Sequence, residues 1–126
     1  MNGWKVAATA VFLSASLSAC STPPARLTAA PALYGVLGRM ISVPGKREQL
    51  IAILIEGTGA MPGNKSYVIA RDLKDPNAIW ITEVWESRDA HAASLKLPRV
   101  QRAIKAARPL IAGFDSRAET QPLRAN

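Results

Sequence analysis

The chain has one histidine, His91, and one cysteine, Cys20. Imidazole is the side chain whose ordinary pKa lies near neutrality, so His91 is the residue placed to move a proton there without a large shift. A surface histidine is the plainer alternative. Eight residues earlier, Glu83 sits between Ile81 and Trp85. If it faces inward it is a buried carboxylate that needs a partner. Arg39 or Arg71 across a sheet would supply one, as a structural ion pair or as a substrate-orienting group. Trp80, Trp85, Tyr34, Tyr67 and Phe114 offer flat apolar faces able to stack on an aromatic ring, or else to pack as core. One base, one carboxylate and aromatic walls fit a small apolar pocket with few polar groups, the usual form of a small-molecule site. A lone histidine without a ligand-spaced partner gives no metal constellation, and no nucleotide-phosphate loop, GxSxG elbow or Cys–His pair is present.

These residues need elements to hold them. Ile79 to Glu86 is crowded with β-branched and aromatic residues and reads as a strand. At Ser87 the period changes. Ser87 is a good N-cap, Asp89 suits the positive end of a helix dipole, and Ala90, Ala93, Ser94 and Leu97 recur at helical spacing until Pro98 ends or kinks the run. Upstream, Tyr34 to Val43 reads as a strand and Pro44-Gly45 as a turn. Lys46 to about Glu56 reads as a helix with a Leu50, Ile53, Leu54, Gly57 stripe, capped by Gly57 or Gly59. Ser66 to Leu73 is a second strand, returned to the third by the turn Asp75-Pro76-Asn77. A second helical segment runs from about Arg99 to Arg108, with Val100, Ile104, Ala107 and Ile111 on its buried side. Gly113 to Glu119 closes the chain as a strand, with Phe114, Ser116 and Ala118 alternating against Asp115, Arg117 and Glu119. The cations Lys96, Arg99, Arg102, Lys105 and Arg108 drift around the helix and read as a solvated face. The order β-α-β-β-α-β is that of an α+β, ferredoxin-like domain. Apolar groups fall on both faces of the third strand, which calls for a second sheet over the open face and hence a homodimer.

The run Thr82-Glu83-Val84-Trp85-Glu86-Ser87, a helix, then Leu97-Pro98, resembles the antibiotic biosynthesis monooxygenase family, which includes quinol monooxygenases. Val43-Pro44-Gly45-Lys46 and Arg108-Pro109-Leu110-Ile111-Ala112-Gly113-Phe114 support the likeness, which extends from about Tyr34 to Glu119. It implies a dimeric α/β barrel and a cofactor-independent monooxygenase acting with dioxygen on a small aromatic or quinol-type substrate. By its own chemistry, and with no family role transferred to it, His91 would be the catalytic base or anion stabiliser, and Trp80, Trp85, Tyr34, Tyr67, Glu83 and Arg39 the substrate-binding residues. Departures weaken that transfer. Where such members carry histidines this chain has Ser94 and Arg99. Gly38, Ser94 and Ile104 stand where the haem-degrading branch has Asn, Trp and His. The rival expectation is a non-catalytic module that holds a small hydrophobic ligand in the same fold.

Length fits one domain with a modest core: 126 residues, 48% hydrophobic and 20% charged, with a formal charge of +7. The charge would suit an anionic partner, but the N-terminus makes nucleic acid an unexpected one. Lys5 and the apolar stretch Val6 to Ser16 form a signal-like segment too short to span a membrane. It leads into Leu17-Ser18-Ala19-Cys20, which resembles a bacterial lipobox with Cys20 as the lipidation site. The expected organisation is a lipoprotein signal over 1–19 and a Pro/Ala-rich tether over 20–32. A domain over 33–120 and a tail over 121–126 complete it. At roughly 3.1 Å per residue the tether would hold the domain up to about 40 Å from a bilayer. Ser21 favours the periplasmic face of the outer membrane, by resemblance to enteric sorting rules.

Overall fold

The structure is a computed structural model that describes residues 31–124. The signal-like segment and Cys20 lie outside the described residues. Among those described, no helix is long and apolar enough to cross a membrane.

The chain forms β1 (Tyr34–Ser42), α1 (Arg47–Gly57), β2 (Asn64–Arg71), β3 (Ala78–Trp85), α2 (Arg88–Ser94), α3 (Pro98–Ala107) and β4 (Ile111–Thr120), with a short 3-10 turn at Arg108–Leu110 before the last strand. The sheet is antiparallel in the order β2-β3-β1-β4, which is the ferredoxin-like arrangement expected from the element order. Side chains alternate across a strand. Ile79, Ile81 and Trp85 of β3 are buried under the helices together with Tyr34, Val36 and Met40 of β1. Leu50 and Ile51 of α1 join Met40, Ile79, Ile81 and Ala107 in one cluster, while Met61 and Val100 join Tyr34, Val36 and Trp85 in a second. The cavity described below lies where these two clusters meet.

Local chemistry explains most of the boundaries. Ser87 accepts a hydrogen bond from the Ala90 N–H at 3.0 Å, the expected N-cap of α2. Asp75 accepts from the Asn77 N–H at 2.9 Å, which fixes the β2–β3 turn. Three expectations change. Pro98 does not end the preceding helix but opens α3 at its first turn, where a missing N–H costs nothing. Gly57 is the last residue of α1 rather than its cap. Thr58 caps the helix by donating both its N–H and its hydroxyl to the Leu54 carbonyl. Gly57 is there because a Cβ would overlap the Ala103 Cβ of α3. Finally, β4 does not alternate strictly. Arg39 pairs with Ser116 but Met40 pairs with Phe114, so Asp115 is an extra residue, a β-bulge. Phe114 therefore shares a face with Arg117 and Glu119.

Candidate active site

Between the helix-facing side of the sheet and α2 and α3 lies a cavity of about 250 Å³. That is slightly below the roughly 300 Å³ lower end of drug-sized ligand pockets, and it suits one or two fused rings. Most of its lining is apolar: Val36, Met40, Leu54, Met61, Ile81, Val100, Ala103 and Ile104. Trp85 and Tyr67 add aromatic walls, and Glu83, His91, Ser94, Thr58 and Arg117 are its polar groups.

The polar groups are ordered by the strand and the capped helix. Glu83 lies on β3 between Ile81 and Trp85, on the side facing α2, as the expected alternation requires. Its carboxylate accepts a hydrogen bond from Trp85 Nε1–H at 2.8 Å. His91, one turn into α2, points back over the sheet, with Nε2 3.7 Å from Glu83 Oε2. Both side chains are close to buried, at 14% and 12% exposure. Burial pushes the Glu83 pKa above its ordinary value, opposed by the Trp85 hydrogen bond and the His91 charge. Burial also pushes the Tyr67 hydroxyl well up, so it stays protonated. Ser94 donates its hydroxyl to the His91 carbonyl at 2.7 Å, and Thr58 donates to Leu54, so neither hydroxyl has a hydrogen left to donate to a ligand.

His91 is held between two rings, 5.5 Å from Tyr34 and 5.4 Å from Trp85, centroid to centroid. Tyr34 thus backs the histidine and does not line the cavity. The Arg88 guanidinium lies 4.9 Å over the Tyr34 ring and pairs with Glu119. Of the residues expected to bind substrate, Trp85, Tyr67 and Glu83 line the cavity beside His91. Arg39 and Trp80 do not. They pair directly across β1 and β3 on the opposite face. There Arg39 bonds Asp72 at 3.0 Å, Asp75 at 3.1 Å and also Asp115, while lying over the Trp80 ring. Three carboxylates and an indole occupy its guanidinium, so the expected Glu83–Arg39 pair is not formed. Arg71 is likewise taken by Glu48 of α1, at 2.6 Å. Sequence reasoning missed Gly38 and Arg117. The bulge that turns Arg117 inward leaves no signal in an alternating pattern.

A ferredoxin-like sheet covered on one face, with an apolar cavity beside a carboxylate–imidazole pair, defines an α+β domain with a candidate small-molecule site. The chain belongs to the antibiotic biosynthesis monooxygenase family: residues 34–106 match it. A solved structure from Chloroflexus aurantiacus, described as a proposed antibiotic biosynthesis monooxygenase, is 56% identical, with a TM-score of 0.73 over 75% of this chain and 96% of that one. A proposed family member from Caulobacter crescentus shares the fold at 17% identity and a TM-score of 0.68, covering 75% of this chain and 93% of its own. No curated protein matches the chain.

Proposed function

We propose that the domain is a cofactor-independent monooxygenase that oxidises a small aromatic or quinol-type substrate with dioxygen. The observation that carries this reading is the Glu83–His91 pair, 3.7 Å apart, in the wall of an apolar cavity. A neutral phenol is a poor reductant of dioxygen, whereas its anion is a good one. The pair takes the phenolic proton, and the imidazolium formed on His91 is stabilised by the neighbouring carboxylate. The substrate anion reduces dioxygen and combines with it as a peroxide. The abstracted proton returns to the peroxide, and O–O cleavage releases water. One oxygen atom stays on the ring as a carbonyl; the other leaves with the two hydrogens the ring gives up. All four electrons come from the substrate, so the protein's tasks are to bind the ring against Tyr67 and the apolar lining, favour the anion and keep bulk water out.

Oxygen uptake by the mature chain over a panel of quinols, with a metal chelator present, tests this. Uptake that requires both substrate and His91 is the expected result. Tight ligand binding without oxygen uptake would instead identify a non-catalytic binding module.

The same proposal includes an acyl anchor on Cys20 that holds the domain at the periplasmic face of the outer membrane, and a homodimer formed through the open sheet face. Leu17-Ser18-Ala19-Cys20 supports the anchor. Cys20→Ser should leave the precursor unlipidated and unprocessed by the lipoprotein peptidase; normal processing of that variant would rule the anchor out.

A further inference from the structure

Among the described residues Arg117 is the one cation in the cavity lining, and the proton chemistry above does not use it. Its nearest candidate partners are engaged elsewhere. Glu119, two residues along the same face, pairs with Arg88. Glu83 accepts the Trp85 N–H and faces His91; the Arg117 charge acts on it only through space, opposing the upward push of burial. The Asp115 carboxylate, displaced by the bulge, goes to Arg39 on the other face. The guanidinium therefore reaches the mouth of an apolar cavity with its planar donor fork available.

The floor between Arg117 and β3 is also unusual. Gly38 of β1 pairs with Ile81 on one side and Arg117 on the other. A Cβ at Gly38 would meet only the Ser116 carbonyl oxygen, at 3.9 Å, so the missing side chain leaves open space rather than relieving a clash. A flat trough results, two strand spacings or about 10 Å wide between the β3 and β4 backbones. The Glu83–His91 pair stands at one side and the cation at the other.

We infer that the cavity takes an aromatic substrate bearing a carboxylate, with the ring lying over Gly38, the reactive hydroxyl at Glu83 and His91, and the carboxylate on the Arg117 guanidinium. A planar carboxylate matches the guanidinium fork in two parallel hydrogen bonds, which a lysine cannot offer. At the cavity mouth the carboxylate keeps part of its hydration, so the ring enters the apolar interior without burying an unpaired charge. This inference rests on the small-molecule reading of the cavity and narrows its substrate class.

The test is anaerobic calorimetry on the full chain with two probes, 2,5-dihydroxybenzoate and hydroquinone, which differ only in the ring carboxylate. Wild type should bind the acid about tenfold more tightly, the worth of a charge-assisted hydrogen bond in a partly solvated place. Arg117→Met should abolish that preference by weakening the acid far more than hydroquinone, and Arg117→Lys should keep part of it. Gly38→Leu should weaken both probes by filling the trough. Should Gly38→Leu fail to fold, the Arg117 variants decide alone. Equal binding of the two probes by wild type, no binding of either, or a preference that survives Arg117→Met would each overturn the inference. Because oxygen is absent, the outcome is independent of turnover. Arg117-dependent binding without later oxygen uptake would leave the inference standing and remove the monooxygenase reading. Uptake on neutral quinols, indifferent to Arg117, would do the reverse.

Discussion

His91 and Glu83 act as one unit, and their variants separate the parts. A general base is typically worth about 10²–10⁴-fold in rate. His91→Ala should lower kcat by that order, and His91→Gln should not restore it; unchanged kcat and pH profile would place the base on Glu83 or on the substrate itself. Trp85→Phe removes both a wall and the N–H that Glu83 accepts. It should raise KM and cost about 1–3 kcal/mol of stability, because a buried acceptor loses its donor. Glu83 also sets a pH dependence. Its folded pKa is raised by burial, so between its ordinary value and the raised one the folded chain binds more protons than the unfolded chain. Stability is then fully present below about pH 4.5 and falls as pH rises through the raised value. Glu83→Gln should flatten that fall in thermal melts from pH 4 to 8. Melts of wild type and variant that run parallel would show that Glu83 carries no such strain.

Among the elements, the contact of α1 with α3 is the tightest constraint. Gly57 lets the end of α1 approach Ala103, and Val100 and Ala107 of α3 are buried beside it. Helix propensity alone favours Gly57→Ala by about 1 kcal/mol. The overlap with Ala103 opposes it by about 1–3 kcal/mol, since overpacking must push the helices apart. The overlap should win, lowering Tm by about 4–8 °C for each net kcal/mol in a domain of this size. A raised Tm for Gly57→Ala would show that the helices have room to move. The loop before β2 carries a related constraint. Gly63 has φ +78, and a Cβ there would stand 2.6 Å from the Ala90 Cβ of α2. This close approach sets α2, and with it His91, at its height over the sheet.

For the molecule as a whole, the face of the sheet away from the helices is the surface that the proposed dimer would cover. Val68 is 50% exposed there, and Leu37, Trp80 and Val84 on neighbouring strands are only partly covered. A surface of this kind fits a partner sheet. Val68→Asp with Val84→Asp should convert a dimer into a monomer by sedimentation at micromolar concentration. A wild-type chain already monomeric there would refute the dimer. Arg39 and its three aspartates occupy the edge of the same face. Asp72 accepts the Lys74 and Asp75 N–H groups and the Arg39 guanidinium, which hold its carboxyl well below the usual range. Its contribution to stability is present above the ordinary carboxylate pKa and lost as pH falls, opposite in sign to that of Glu83.

Sequence alone determined what depends on neighbours along the chain. The alternation from Ile79 to Trp85 put Glu83 and Trp85 on one face, the Ser87 cap fixed where α2 begins, and the order of elements gave the topology. His91 and Glu83 were each legible as candidates from residue type and position, but the sequence offered Arg39 or Arg71 as the partner of Glu83, and only the fold sets it against His91. Tertiary structure decided everything that depends on which strand lies beside which. Arg39 and Trp80 carried the right chemistry for a substrate pocket, but β1 and β3 turn both to the face opposite His91, where Asp72, Asp75 and Asp115 converge. Gly57 looked like a helix cap and is a helix–helix contact, because its reason lies in Ala103, which is 46 residues away in the chain. Arg117 was expected on the side of the last strand opposite Phe114. Only the bulge at Asp115, a mismatch between two strands and therefore invisible in either one, turns it toward the cavity floor at Gly38.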